Sequence, residues 1–277
     1  MFMAECQPGI ITRFFADLDA TSLQPRSDFF HPDDLAARQS LPEHGIIPVD
    51  VTARPASRMD KVWEQTGGGD SIIGGGTTFY LDGVEAEELR IWLEPGQTAA
   101  MIDRFTRVNR VTKTVLAKFV GYNGLPMTPV HNDLLRDQPA QASPMVCFTM
   151  ETRRQNDEII QEILAGLGLQ GLFVELSPYH GSSEVQYAHI SLANKEIGMR
   201  VYQKERRVSV MESAGVGDSG PDRGIFARTA LRYAMGNSTR ELRQSGFPHR
   251  LVRSVGEQGL SEAIELTIEH NRSLRQG

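Results

Sequence analysis

Apolar positions along this chain come in short runs, and their spacing switches repeatedly between a period of two and a period near 3.6. Residues 45–51 (Gly-Ile-Ile-Pro-Val-Asp-Val) predict an extended segment, and 77–81 and 89–93 predict two strands. Over 98–109 the spacing becomes helical, with Ala99, Ile102, Phe105 and Val108 on one face. Residues 114–122 and 145–150 are apolar stretches suited to a half-buried pleated surface, separated by a Pro-rich loop over 125–144. A helix is predicted from Asn156. Asp157 and Glu158 favour its positive end, and Ile159, Ile160, Ile163, Leu164 and Leu167 form its apolar face. Strands follow at 171–177, 185–192 and 198–211, the last folded back at 203–206. After a Gly-rich break at 215–224 come helical stretches near 225–235 and 260–274. Leu260, Ala263, Ile264, Thr267 and Ile268 form the buried stripe of the second.

These elements predict an α+β fold: a central, mostly antiparallel sheet with flanking helices and a helical C-terminal region. The order divides the chain into a loop-rich segment 1–76, a central α/β core 77–214 and a helical region 215–277 packed on the core. The glycine run within 66–76 could cradle a phosphate. It lacks the Lys-Ser/Thr of a P-loop and the spacing of a dinucleotide fingerprint, so it reads as a flexible hairpin or mobile loop. No repeat of 20–50 residues is present.

Composition narrows the partners. With 277 residues, 40% hydrophobic and 23% charged, the chain can bury a full core, and its apolar runs fall far short of the roughly 20 residues of a membrane span. The formal charge is −6, and the short runs Arg153-Arg154 and Lys204-Glu205-Arg206-Arg207 are too local to form a basic surface, so nucleic acid is not expected as a partner. Cys6 and Cys147 are too few for a disulfide framework or a thiolate zinc site, and the first residues lack a basic and apolar leader, so a cytoplasmic location is expected. No Gly-x-Ser-x-Gly elbow occurs.

Histidine and aspartate carry the candidate chemistry. His131-Asn132-Asp133 sits in a loop after an apolar stretch, His189 lies in the 185–192 segment, and Arg200 follows eleven residues later. A His-x-Asp pair and a distal His can occupy one face of an iron ion. The order and spacing resemble the Fe(II)- and 2-oxoglutarate-dependent oxygenase superfamily over roughly residues 114–211. The resemblance implies a double-stranded β-helix in which His131, Asp133 and His189 hold Fe(II) and Arg200 grips 2-oxoglutarate. The substrate would be a small molecule or a peptide side chain. The helix of 156–167 departs from that family's pattern.

Two other readings stand beside it. His180-Gly181-Ser182, with a segment running from Gly224 to Tyr233, resembles elements of the ADP-ribosyltransferases, which implies NAD binding by His180 and Tyr233. The other is a partner-binding protein without catalysis, an effector chaperone, adaptor or immunity protein, which requires no motif.

Overall fold

The computed structural model describes residues 8–24, 27–54, 56–91, 119–120, 126–127, 146–151, 173–178 and 185–277. The first strand, β1 (Arg13–Ala16), is only four residues long, yet it decides the architecture because both of its faces are buried. Phe14 and Ala16 enter one core and Phe15 the other. A strand buried on both sides needs helices above and below it, as parallel sheets require.

Those helices come between and after the strands. Following β1 are α1 (Pro32–Ser40), β2 (Ile47–Val51), α2 (Asp60–Thr66), β3 (Asp70–Ile73), β4 (Thr78–Leu81) and β5 (Val84–Glu85). Next come β6 (Phe119–Val120), β7 (Pro126–Met127), β8 (Val146–Glu151), β9 (Phe173–Pro178) and β10 (Val185–Ser191). The chain then forms α3 (Lys195–Arg206), β11 (Ser213–Gly217), α4 (Arg223–Ala227), β12 (Leu231–Ala234), α5 (Arg240–Arg243), β13 (Arg250–Leu251) and α6 (Gly259–Gln276).

Among the described residues, eight strands make one sheet in the order β13-β12-β11-β1-β2-β3-β4-β5, and five make a second in the order β7-β6-β8-β10-β9. From β13 to β3 every pairing of the larger sheet is parallel; β4 and β5 add an antiparallel edge. The smaller sheet is antiparallel throughout. The expectation of a mostly antiparallel central sheet, with the double-stranded β-helix as one form, is therefore corrected. Residues 13–81 and 213–251 pair in one largely parallel sheet between two helical layers. On one face lie Leu41, Met59, Val62, Leu260, Ala263, Ile264 and Ile268, and on the other Met199, Tyr202, Ile225, Phe226 and Leu242.

Several local expectations change for the same reason. The 198–211 segment is not a folded-back strand. Asn194 Oδ1 accepts from Ile197 N at 2.9 Å and starts α3, whose buried residues Lys195, Gly198, Met199, Tyr202 and Gln203 fall on one helical face. Within 66–76, Asp70–Ile73 is a buried strand, and the first residues of the Gly-rich break belong to the end of β11. The 225–235 stretch divides into α4 and β12. Residues 89–91 are outside any strand. The expected strand 77–81 is matched by β4, and the stripe Leu260 to Ile268 by α6. The helices expected over 98–109 and 156–167 lie outside the described residues. Among the described residues, no helix is long and apolar enough to cross a membrane.

Two helices are tied together by one carboxylate. Asp34 in α1 is fully buried, and its Oδ1 accepts from Ser261 N at 2.8 Å and Ser261 Oγ at 2.7 Å, capping the start of α6. Helix α3 is seated by glycines instead. Gly76 has φ +99°, and a Cβ there would run into the Asn194 carbonyl. A Cβ on Gly198 would lie 2.6 Å from Gly76 Cα and 2.8 Å from Ile72 Cγ2. Gly198→Ala should thus push α3 off the β3–β4 turn and cost about 1–3 kcal/mol, as overpacking does. Urea denaturation checks this; an unchanged midpoint would show that the turn yields freely.

Candidate active site at the carboxyl edge of the parallel sheet

In sequence order, β1, β2 and β3 step to one side of the larger sheet and β11, β12 and β13 to the other. The direction of winding reverses between β1 and β11. In open α/β sheets the crevice outside the carboxyl ends of the strands at such a point is where ligands bind. Asp17 follows β1 directly, and Asp218 follows β11 directly. Both are buried, at 5% and 8% exposure.

A third carboxylate, fully buried Asp222, lies one turn beyond Asp218. Its Oδ2 accepts from Asp218 N at 2.8 Å, from Ser219 N at 2.9 Å and from Ser219 Oγ at 3.2 Å, so the loop after β11 is wound around it. Gly217 allows the close return, because a Cβ there would collide with the Asp222 side chain. Buried Lys195, the first residue of α3, donates to Asp17 Oδ1 at 2.6 Å and to Asp222 Oδ1 at 2.7 Å. Thr21 Oγ1 donates to Asp218 Oδ1 at 2.8 Å.

Negative charge is thus concentrated against one ammonium. Burial raises the Asp17 carboxyl well above its ordinary range; Lys195 pulls it down, while Asp222, Asp218 and Asp19 push it further up. Burial, followed by the charge of Asp222, pushes Asp218 up to about 7, against the Thr21 hydrogen bond and the attraction of Lys195. Oxygen atoms of Asp17, Asp218 and Asp222 lie within 4.8 Å of one another, a grouping that can hold a metal ion. Such a set of hard oxygen donors, carrying more negative charge than Lys195 balances, fits a small divalent cation such as Mg²⁺.

Asp19 stands apart from these three. Two residues past Asp17, it is 37% exposed and faces a guanidinium: Arg54 Nε donates to its Oδ2 at 2.9 Å and Nη2 to its Oδ1 at 2.5 Å. Arg54 follows β2 closely, and its N–H donates to the hydroxyl of buried Thr52 at 3.1 Å.

None of these residues was singled out by the sequence reading. The available signal was a mostly apolar stretch, Ile10 to Ala16 interrupted by Thr12 and Arg13, followed by Asp17-Leu18-Asp19, and a second short stretch, Ala214 to Gly217, followed by Asp218-Ser219-Gly220-Pro221-Asp222. Of the residues that were singled out, His131 and Asp133 lie outside the described residues, as do His180, Gly181 and Ser182. His189 falls in β10, opposite Cys147 on β8 and Glu175 on β9. Arg200 is on helix α3, exposed, and not on a strand. Tyr233 is buried in β12, where Thr267 Oγ1 donates to its hydroxyl at 3.1 Å from α6.

No protein-family model and no curated protein matches this sequence. Solved structures do. One is described as a phosphatase of the haloalkanoate (HAD) enzyme superfamily from Bacteroides thetaiotaomicron: 19% identity, 93% of this chain and 95% of that chain, TM-score 0.70. A haloacid dehalogenase-like hydrolase from B. subtilis is 15% identical over 92% of this chain and 99% of that one, TM-score 0.69. A HAD subclass IIB sugar phosphatase is 14% identical over 92% and 98%, TM-score 0.67. At such identities the likeness is one of fold, and the fold is the Rossmann-like one of the HAD hydrolases. It overturns the oxygenase reading, with its Fe(II) and 2-oxoglutarate.

The raised Asp218 carboxyl has a sign that can be measured. Its folded value, about 7, lies above its unfolded value, so the fold binds the extra proton. The stability this group contributes is full below about pH 4 and is lost as the pH rises through about 7. At pH 8 without metal, Asp218→Asn should therefore be more stable than the parent by roughly 1–4 kcal/mol. Mg²⁺ should raise the melting temperature of the parent and leave that of the variant nearly unchanged. Thermal denaturation with chelator and with Mg²⁺ checks both; equal shifts in the two proteins would remove Asp218 from the cation site.

Proposed function

We propose that this chain is a divalent-cation-dependent phosphomonoester hydrolase acting on a small phosphorylated molecule. Asp17 is the nucleophile and Asp19 the proton donor and acceptor. The observation that carries the reading is the Asp17–Lys195–Asp222 ion triad at the winding reversal of the sheet, with Asp19 two residues further along. The descriptions of several solved structures with this fold as phosphatases or hydrolases support it.

The residues divide the work by environment. Asp17 is buried and held on one oxygen by Lys195, which leaves the other to attack phosphorus as the bond to the leaving oxygen breaks. Lys195 orients that carboxylate and places positive charge beside the phosphoryl oxygens. The Thr52 hydroxyl accepts from Arg54 N, which leaves its own hydrogen for a phosphate oxygen. Asp17, Asp218 and Asp222 would hold the cation, whose charge offsets the repulsion between phosphate and carboxylates.

Asp19, nearer to solvent, gives a proton to the leaving oxygen and then takes one from water. That water attacks the aspartyl phosphate, the bond from phosphorus to Asp17 breaks, and inorganic phosphate leaves with the carboxylate restored. The small-molecule substrate of the sequence reading is kept in this form, as a phosphate ester. A test is hydrolysis of p-nitrophenyl phosphate with Mg²⁺. We expect turnover that chelator abolishes and that Asp17→Asn lowers by at least about 1,000-fold, the scale seen when a nucleophile is removed. Parental activity in Asp17→Asn would dismiss the covalent route.

A further inference from the structure

The guanidinium of Arg54 is more completely engaged than the site chemistry so far requires. Besides the two bonds to Asp19, its Nη1 donates to Asp28 Oδ1 at 2.9 Å and to the Arg58 carbonyl at 3.4 Å, and its Nη2 reaches the Ser27 carbonyl at 3.5 Å. Every nitrogen of the fork is used, and the side chain is 11% exposed. The backbone around it is also fixed, since Arg54 N donates to Thr52 Oγ1 and the Arg54 carbonyl accepts from Gly74 N at 2.9 Å. Burial would raise the Asp28 carboxyl, yet the hydrogen bond and charge of Arg54 hold it below the usual range.

A bidentate fork fixes a carboxylate in plane as well as in distance, which a single ammonium cannot do. Asp19 needs such control. It follows Leu18 in a turn where Ala20 has φ +60°, and at 37% exposure its side chain is not confined by packing. The geometry points to Arg54 as a positioning residue for Asp19, with Asp28 as its anchor on the far side. The chain Asp28–Arg54–Asp19 sets where the proton donor stands relative to the leaving oxygen. This rests on Asp19 acting in proton transfer as proposed above. Arg54 touches neither phosphorus nor the leaving group in this role. Its contribution is felt at both steps in which Asp19 moves a proton, and only the first of them, departure of the leaving oxygen, depends on the ester.

That restriction supplies the test. Phenyl phosphate and p-nitrophenyl phosphate have nearly the same shape, but phenolate is a poor leaving group without a proton and nitrophenolate a good one. With Mg²⁺ present, Asp19→Asn should lower kcat/KM, which reports the steps through departure of the leaving oxygen, by ~10²–10⁴-fold on phenyl phosphate, the usual range for a general acid. Its loss on p-nitrophenyl phosphate should be much smaller. Arg54→Ala and Arg54→Lys should show the same split, at least about tenfold greater on phenyl phosphate, since misplacement of about 1 Å can cost 10²-fold. Guanidinium ion added to Arg54→Ala should restore part of the loss. Asp28→Asn should show the split more weakly.

Melting temperatures identify any variant that fails to fold, and Asp28→Asn and Arg54→Lys keep the question answerable if Arg54→Ala does. Equal losses on both esters in the Arg54 and Asp28 variants, with the split present in Asp19→Asn, would overturn the positioning role and leave Arg54 as a loop tie. Absence of the split in Asp19→Asn would overturn the proton-transfer role of Asp19 and the inference with it. No turnover of either ester by the parent would overturn both.

Discussion

Two buried carboxylates, Asp17 and Asp222, can lie this close together only because Lys195 Nζ is hydrogen-bonded to both, at 2.6 and 2.7 Å. Each comes from a different part of the chain, and Lys195 from a third, so the contact joins the end of β1, the loop after β11 and the start of α3. Leaving one buried charge without its partner costs about 3–5 kcal/mol, which makes the position of α3 a strict requirement. The other features of the fold around it follow. Gly76 and Gly198 let α3 approach the β3–β4 turn, Gly217 lets Asp222 return beneath its own strand, and the Asn194 cap begins the helix beside the ammonium.

That dependence explains what could be read from the sequence and what could not. Strands β4, β9 and β10 and helix α6 were legible because each announces itself over a single window, by apolar β-formers or by the stripe Leu260 to Ile268. Strand β1 was not, because Arg13–Ala16 is too short to show a period and both faces are apolar. Its partners, Ile47 on β2 and Ser213 on β11, lie 34 and 200 residues away from Arg13, and no local pattern encodes that pairing. Helix α3 was misread as a strand although its buried positions 195, 198, 199, 202 and 203 keep helical spacing. The stripe includes Lys195, Gly198 and Gln203, which a count of apolar residues passes over. The site was hidden in the same way: Asp17, Lys195, Asp218 and Asp222 gain meaning only when the parallel order brings their strand ends together. A search for metal ligands that favoured histidine over aspartate looked elsewhere.

In the proposed reaction Asp17 and Asp19 would let one strand end serve two chemistries. They are two residues apart, yet one is enclosed with an ammonium and two acidic neighbours, and the other stands partly in solvent against a guanidinium. A point charge suits a carboxylate that must turn toward phosphorus, because it constrains one oxygen and leaves the other free. A planar fork suits one that must keep a fixed angle to a leaving group. The environments would separate the proposed roles as they do where paired carboxyl groups act as nucleophile and acid.

The cost of this arrangement falls on Asp218. Lys195 hydrogen-bonds Asp17 and Asp222, and the third carboxylate meets burial and the charge of Asp222 against the Thr21 hydrogen bond and the attraction of Lys195. A sequence selected for stability alone would place a neutral side chain there. An ionisable oxygen at the end of β11 suits the cation of the proposed reaction, and the nearby oxygens of Asp17 and Asp222 complete the set. Local instability at a site whose surroundings are otherwise satisfied is the usual mark of function. The cluster of carboxylates at the winding reversal supports the proposed cation-assisted reaction on an anionic substrate more directly than likeness of fold does, because it belongs to this chain's own residues.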